Sequence, residues 1–160
     1  MSEFTDNSNY KILLVDDTPK NIQLLASVLS GQKYQLGYAQ NGKQALEIVT
    51  KSSFDLILLD VMMPEIDGFE VCRHLKSDNN TKEIPIIFLT AKTDEASIIK
   101  GFEAGGTDYL TKPFNSAELL ARVKTHLQAN LTKRQLIEVN SQLRKEIEGR
   151  QAAELKLSIV

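Results

Sequence analysis

The sequence has few of the features that mark secreted, disulfide-stabilised or membrane-spanning proteins. It holds a single cysteine, Cys72, so an internal disulfide framework is excluded and a reducing cytosol is indicated. No apolar run approaches the roughly 20 residues that a membrane-spanning helix needs, and residues 1–9 lack the apolar stretch of a signal peptide. The net charge of −2 gives no sign of a nucleic-acid or membrane partner. We therefore expect a cytoplasmic protein with neither partner in this segment.

Several motifs of other protein classes are also missing. The chain has no G-x-x-x-x-G-K-[ST] sequence, which excludes a P-loop NTPase. His74 and His126 lie in helical patterns without a partner motif, so we interpret both as surface or packing residues rather than phosphate donors.

With 42% hydrophobic and 25% charged residues among 160, the composition predicts one globular domain with a core and an additional segment.

Apolar strand patterns alternate with helical patterns along most of the chain. Residues 56–59 form an unbroken apolar run that closes at Asp60, and loop punctuation follows at Met63-Pro64 and Asp67-Gly68. Such a run is typical of a strand buried on both faces of a parallel sheet. Five strands are predicted, at 11–15, 35–39, 56–60, 86–89 and 108–111, with helices at 19–30, from 42, 68–75, 95–104 and from 116. The alternation predicts an α/β fold, a doubly wound five-stranded parallel sheet with helices on both faces.

Polar side chains follow four of the predicted strands. Asp16 and Asp17 follow the first strand, and the third, fourth and fifth are followed by Asp60, Thr90 and Lys112. If the strand order is 2-1-3-4-5, all five side chains converge at one edge, where open parallel sheets bind ligands. Clustered carboxylates need a cation, and an oxygen-only ligand set suits Mg²⁺. A lysine and a threonine beside the metal suit phosphoryl transfer, with one carboxylate as nucleophile. The pattern alone does not identify which of the three aspartates is the nucleophile.

Four fragments of the sequence resemble the receiver domain of two-component response regulators. They are Val15-Asp16-Asp17, residues 59–68 (LDVMMPEIDG), Phe88-Leu89-Thr90-Ala91 and residues 108–114 (DYLTKPF). Together they cover about residues 10–128 at the spacing of that family. The resemblance implies the flavodoxin-like fold with strand order 2-1-3-4-5, and a phosphorelay function with a histidine kinase or histidine phosphotransfer protein as the partner.

The resemblance also assigns roles at the sheet edge. It implies that Asp60 accepts the phosphoryl group, and that Mg²⁺ is held by Asp16, Asp17, Asp60 and the backbone carbonyl of Met62. It implies that Lys112 pairs with the phosphoryl group and that its bond to Pro113 is cis.

Two further residues have implied roles in the response to phosphorylation. Thr90 would hydrogen-bond the phosphoryl group and report its presence, and Tyr109 matches the switch aromatic of the family. The sequence departs from the family at Gly105-Gly106-Thr107, where Gly-Ala-Asp or a close variant is usual. This change loosens the turn before the fifth strand and touches none of the site residues.

Two alternative functions remain open at this point. A magnesium-dependent phosphatase of the haloacid-dehalogenase type also uses an aspartate nucleophile, but Pro19 stands where that class needs a second aspartate. The other alternative is a receiver fold that acts as a scaffold without phosphorylation, and the complete set of site residues argues against it. No enzymatic activity is expected beyond phosphorylation and dephosphorylation of the receiver itself.

The chain divides into three predicted segments: a disordered lead-in at 1–9, a receiver at 10–128 and a helical coiled-coil linker at 129–160. The linker has no proline and one glycine, Gly149. One heptad frame contains Leu136, Val139, Leu143, Ala153, Leu157 and Val160, with Glu146 and Arg150 as misfits. A second frame places Asn140 and Ile147 in the seam. The pattern predicts a parallel homodimer, and because it runs to Val160 without a stop signal, a downstream output domain is expected. About 30 linker residues are too few for a DNA-binding domain.

Overall fold

The computed structural model describes residues 7–91 and 94–158, with side chains up to residue 155. Residues 1–6 of the predicted lead-in therefore lie outside the described residues, as do the side chains of Leu157 and Val160. Asn7–Asn9 forms a short 3-10 helix, and the Asn7 side chain donates a hydrogen bond to the Gln32 carbonyl at 2.8 Å. The prediction of disorder over the whole lead-in is thus wrong for residues 7–9.

Five parallel strands form one sheet in the order β2-β1-β3-β4-β5, as the resemblance implied. The strands are β1 (Lys11–Val15), β2 (Gln35–Ala39), β3 (Leu56–Asp60), β4 (Ile86–Thr90) and β5 (Asp108–Thr111). In the register Val15 pairs with Leu59 and Asp60 pairs with Leu89. Asp60 therefore ends the third strand level with the ends of its two neighbours. Every residue of β3 and β4 is buried, as their unbroken apolar runs predicted.

Five α-helices connect and follow the strands. They are α1 (Pro19–Ser30), α2 (Gly42–Lys51), α3 (Gly68–Ser77), α4 (Glu95–Glu103) and α5 (Ser116–Ser158). The third helix is two residues longer than predicted, and α4 ends one residue earlier, with Ala104 as its C-cap. The long α5 confirms the prediction that the helix after the receiver continues toward the end of the chain.

Alternating residues of the buried strands supply two hydrophobic cores, one on each face of the sheet. Leu13, Ile57 and Phe88 belong to the core that includes residues of α2 and α3. Leu14 and Leu58 belong to the other core, which α1 and the first turns of α5 complete. This division follows from the period of two along a strand, which sends neighbouring side chains to opposite faces. Both cores leave the carboxyl ends of the strands free for polar side chains.

The N-termini of α1 and α5 are capped in different ways. Thr18 is the N-cap of α1, but its side chain makes no capping hydrogen bond. Its backbone N–H donates instead to the Asp16 carboxylate at 2.9 Å. Asn115 caps α5 by accepting from the N–H groups of Ala117 and Glu118, and the Glu118 carboxylate pairs with Arg122. The N-terminal residues of α1 are thus oriented by the neighbouring carboxylate.

The chain forms two compact units, residues 1–127 and 128–160. In the second unit, which is the continuation of α5, every described side chain except that of half-buried Asn130 is exposed. Its exposed large apolar residues are Leu131, Leu136, Ile137, Val139, Leu143, Ile147 and Leu155. Among the described residues, no helix has the length and apolar character needed to cross a membrane.

Candidate functional site

Three carboxylates meet at the carboxyl ends of β1 and β3. One oxygen from each of Asp16, Asp17 and Asp60 lies within 4.8 Å of the others. Asp16 and Asp60 are buried and Asp17 is exposed, so the cluster is open to solvent on one side. The structure brings together the three aspartates that the sequence analysis selected as metal ligands. Their donor set consists of carboxylate oxygens only, which are the ligands that Mg²⁺ prefers.

Asp16 is held in place by groups from two directions. The Thr18 N–H donates to its Oδ1 at 2.9 Å, and the Asn21 side-chain amide lies 3.4 Å from the same oxygen. The other oxygen, Oδ2, accepts from the Lys112 amine at 2.8 Å. Asn21 was not among the site residues predicted from the sequence, although its place in the first turn of α1 was a usable signal. These contacts leave Asp16 little freedom to turn away from the cluster.

Lys112 comes from the loop after β5 and links the two buried aspartates. Its Nζ lies 2.8 Å from Asp16 and 3.3 Å from Asp60. Burial of the amine lowers its pKa, but the hydrogen bonds and charges of the two carboxylates outweigh burial and raise the Lys112 pKa above its ordinary value. The lysine is therefore a fixed cation beside Asp60. The peptide bond between Lys112 and Pro113 is cis, as the resemblance implied.

The Asp60 carboxyl lies in an environment that disfavours its charge. Burial raises its pKa to about 6, and the negative charge of Asp16 acts in the same direction. The Lys112 amine and a hydrogen bond from the Met62 backbone N–H oppose this rise without cancelling it. A second cation at the cluster would relieve the remaining repulsion between the carboxylates. The charges around Asp60 would therefore be balanced better if a cation were bound at this cluster.

Thr90 and Tyr109 form a hydrogen-bonded pair next to this cluster. Thr90 ends β4 and is buried, and its side chain hydrogen-bonds that of Tyr109 on β5. Burial raises the pKa of the Tyr109 hydroxyl, and Asp94 adds to the rise while the bond to Thr90 opposes it. The Tyr109 ring packs at an angle on Phe88, with the ring centroids 6.4 Å apart. A movement of the Thr90 side chain would thus break or alter its hydrogen bond to Tyr109.

The loop between β3 and α3 closes tightly on the backbone of Asp60. The Gly68 N–H donates to the Val61 carbonyl at 2.9 Å, and a Cβ atom at Gly68 would lie 2.3 Å from the Asp60 carbonyl oxygen. No side chain fits there unless this backbone moves. Glu65 in the same loop has a φ of 67°, in the left-handed region that most residues avoid. Gly68 is thus required for the position of Asp60, a reason the sequence pattern did not reveal.

A second polar cluster joins the start of β5 to α5. Arg122 donates to both Asp108 oxygens, at 2.9 and 2.7 Å, and the His126 Nε2 lies 2.8 Å from Asp108 Oδ2. His126 is half-buried and its contact with Asp108 was not predicted from the sequence, whereas His74 is exposed as expected. Burial alone would raise the Asp108 pKa, but hydrogen bonds from His126, the Tyr109 N–H and Arg122 lower it. The cluster fixes β5, which carries Tyr109, to α5.

Comparison with known protein families identifies one that covers most of the chain. The family described as "Response regulator receiver domain" matches residues 12–124. The "Response regulator PleD" of Caulobacter vibrioides is 44% identical over 115 residues, which are 72% of this chain and 25% of that protein. The "Probable cyclic di-GMP phosphodiesterase" of Vibrio cholerae is 42% identical over 142 residues, 89% of this chain and 32% of that protein. The chain thus spans about a quarter to a third of the length of these relatives.

Solved structures show the same fold. The Vibrio cholerae chemotaxis protein CheY4 has 34% identity and a TM-score of 0.70, over 72% of this chain and 97% of that one. The signal receiver domain of an HD domain-containing protein from Pseudomonas fluorescens has 27% identity and a TM-score of 0.75. That match covers 84% of this chain and 98% of the other. The flavodoxin-like fold with the strand order observed here is thereby confirmed.

Proposed function

Because the chain belongs to the response regulator receiver domain family of two-component systems, we propose that Asp60 is its phosphoacceptor. The observation that supports this role is the convergence of Asp16, Asp17 and Lys112 on Asp60 at one sheet edge. The donor would be a phosphohistidine of a histidine kinase or phosphotransfer protein. A carboxylate oxygen of Asp60 attacks phosphorus, the bond from phosphorus to the histidine nitrogen breaks, and an acyl phosphate forms.

The aspartates fit Mg²⁺, which is the cofactor we propose for this reaction. Asp16, Asp17, Asp60 and the Met62 carbonyl would be its protein ligands. When bound, the ion supplies positive charge that offsets the charge of the transferring group. Lys112 contributes a second fixed positive charge, because its amine already lies 3.3 Å from the Asp60 carboxylate. Its part is to pair with an oxygen of the phosphoryl group.

Thr90 and Tyr109 would link phosphorylation to a change in the surface formed by α4, β5 and α5. The Thr90 hydroxyl, which now bonds Tyr109, would bond the phosphoryl group instead. Tyr109 would then lose its partner and rearrange against Phe88, the ring on which it packs. The response would pass through α4, β5 and the receiver part of α5, and then along the rest of α5.

We further propose that residues 10–128 act as the receiver and 129–160 as a dimeric helical linker to an output domain. The output domains differ among the relatives, since one is named a probable cyclic di-GMP phosphodiesterase and others are named a DNA-binding response regulator and a transcriptional regulatory protein. The receiver itself would only gain and lose its phosphoryl group. The proposed place of action is the cytoplasm, where a histidine kinase would meet it.

Intact mass spectrometry tests the proposed site. The protein is incubated with acetyl phosphate and Mg²⁺, and the gain of one phosphoryl group is followed over time. Asp60→Asn should take up none, while the control Asp67→Asn should be labelled like the parent. Asp67 caps α3, and asparagine is an equally good cap. Stable labelling of Asp60→Asn would overturn the assignment of Asp60.

Sedimentation tests the proposed dimer. The full chain and a version that ends at Leu127 are compared at tens of micromolar, each with and without acetyl phosphate and Mg²⁺. The full chain should dimerise and the short version should not do so to the same extent. A coupling of about 1–3 kcal/mol between phosphorylation and association would shift the equilibrium by 5- to 150-fold. A full chain that stays monomeric in both states contradicts the linker proposal.

A further inference from the structure

The linker part of α5 carries an apolar stripe that the described chain leaves exposed. Leu136, Val139, Leu143 and Ile147 are 49–60% exposed. Residues three and four positions apart share one face of a helix, so these side chains form a continuous band along α5. The band covers about 16 Å of helix, since each residue adds 1.5 Å. A band of this kind is stabilised when another surface covers it.

Asn140 lies inside this band. Leu136, Asn140, Leu143 and Ile147 follow one another at steps of four, three and four residues, which is the spacing of alternating seam positions in a heptad. Asn140 thus occupies the seam position between Leu136 and Leu143. Its amide has two donor hydrogens and an acceptor oxygen. Any surface that covers the band must supply partners for these groups, because an unsatisfied buried amide is costly.

A second copy of the same helix meets this requirement. In a parallel, in-register pair the two Asn140 side chains face each other across a two-fold axis, and each amide can donate to the other. A lipid surface or a purely apolar groove would cover the leucines and leave the amide without a partner. An antiparallel pair would place Asn140 against an apolar side chain. The amide therefore favours one occupant and one orientation.

We propose that Asn140 fixes the linker of this protein as a parallel, two-stranded, in-register dimer. The inference rests on the proposed function, in which the linker dimerises, and adds the residue that selects the register. Arg150 and Glu154 occupy the next two seam positions, so charged residues interrupt the seam after residue 147 and before Leu157. A seam this short tolerates several registers unless one polar pair selects among them.

Disulfide cross-linking of the full chain tests the orientation. Leu136→Cys should form a dimer through its own copy under mild oxidation, because residue 136 faces residue 136 in a parallel pair. Lys145→Cys, on the opposite side of the helix, is the matched control and should cross-link weakly. The native Cys72 adds little background, since it is buried and burial raises its pKa to about 11. Equal cross-linking of the two variants would overturn the parallel seam.

A substitution of Asn140 tests its selective role. In the Leu136→Cys protein, Asn140→Leu should tighten self-association by roughly tenfold or more, because the polar seam residue costs stability. It should also add species larger than a dimer and reduce self-cross-linking at residue 136. Ser141→Leu, which adds the same side chain outside the band, should change neither property. These readouts separate register selection from general destabilisation of the helix.

The outcomes distinguish this inference from the dimer on which it rests. A full chain that remains monomeric at tens of micromolar overturns the proposed dimer and the inference together. A parallel dimer whose stoichiometry and cross-linking are unchanged by Asn140→Leu overturns only the role of Asn140. Loss of the unique dimer in Asn140→Leu, with the dimer retained in Ser141→Leu, supports both.

Discussion

The two units of the chain differ in how much of their apolar side chains they bury. In the unit that ends at residue 127, apolar side chains fill two cores, and every buried side-chain polar atom of the described residues has a hydrogen-bond partner. In residues 128–155 the apolar side chains are exposed. The first unit therefore contains its own stabilising contacts. The second has a helical pattern without a core of its own among the described residues, and we propose that a second copy of the helix supplies the missing contacts.

Matched leucine truncations should show this contrast most strongly. Leu58 is fully buried in the sheet, so Leu58→Ala should lower the free energy of unfolding by about 2–5 kcal/mol. Leu143→Ala in the linker should change receiver unfolding by less than about 0.5 kcal/mol. Urea denaturation, monitored by the cooperative loss of tertiary structure, measures both. A large effect of Leu143→Ala on receiver unfolding would remove the distinction between the units.

The site should show that a buried charge can destabilise the receiver. The Asp60 pKa rises from 3.8 to about 6, so the folded state binds the proton more tightly than the unfolded state. The contribution of Asp60 to the free energy of unfolding is then fully present below pH 4, and it is lost as the pH rises through 6. Without Mg²⁺, Asp60→Asn should gain up to about 3 kcal/mol at pH 8 and nothing below pH 4.

The measurement is a set of denaturation curves from pH 3.5 to 8 in magnesium-free buffer. Added Mg²⁺ should stabilise the wild type more than Asp60→Asn, because a ligand stabilises the state to which it binds. A gain from Asp60→Asn that is constant with pH would contradict the charge explanation. An equal response of both proteins to Mg²⁺ would contradict the proposed metal site.

Substitution of Gly68 should affect phosphorylation of Asp60 more than it affects the stability of the fold. Gly68→Ala places a Cβ atom 2.3 Å from the Asp60 carbonyl oxygen, so the backbone must shift, at a cost of about 1–3 kcal/mol. Phosphorylation by acetyl phosphate should slow by more than this loss of folded protein explains. Gly31→Ala, whose Cβ would meet only the Val28 carbonyl at 3.6 Å, is the control and should be phosphorylated normally. Equal rates for both variants would show that the loop does not position Asp60.

The smallest expected effect concerns the cluster that joins β5 to α5. The Asp108 pKa is lowered, so its contribution to stability is present above the ordinary pKa of the carboxyl. This contribution is lost as the pH falls through the folded value. Asp108→Asn should cost about 1–2 kcal/mol near pH 7 and nothing at the acid end, opposite to Asp60→Asn. Thermal unfolding at several pH values measures this, with the exposed Asp78→Asn as a control. A loss of stability in Asp108→Asn that persists at acid pH would indicate that the side chain stabilises the fold through packing rather than through its charge.

The sequence predicted the sheet and most of the site because both depend on local signals. Unbroken apolar runs mark strands buried on two faces, and a polar residue directly after such a run lies at a strand end. For this reason Asp16, Asp17, Asp60, Thr90 and Lys112 could be placed together before any coordinates were known, given the order of the strands. The family motifs then supplied the strand order, which the runs alone do not encode.

The residues that the sequence did not reveal depend on contacts between distant elements. Asp108 and His126 are 18 positions apart on a strand and a helix, and no periodicity links them. Asn21 reaches Asp16 from the first turn of α1, and the Thr18 N–H at the start of that helix donates to the same carboxylate oxygen. The need for glycine at position 68 likewise follows from the path of the loop. Such contacts require the folded backbone.

Mapping of the phosphorylated residue tests the central claim most directly. The protein is treated with acetyl phosphate and Mg²⁺, reduced with sodium borohydride, which converts an aspartyl phosphate to homoserine, and digested for peptide sequencing by mass spectrometry. We predict homoserine at position 60, dependent on Mg²⁺ and absent from unphosphorylated protein. Homoserine at position 16 or 17 with an unmodified Asp60, or no acyl phosphate under conditions that label another receiver, would contradict it.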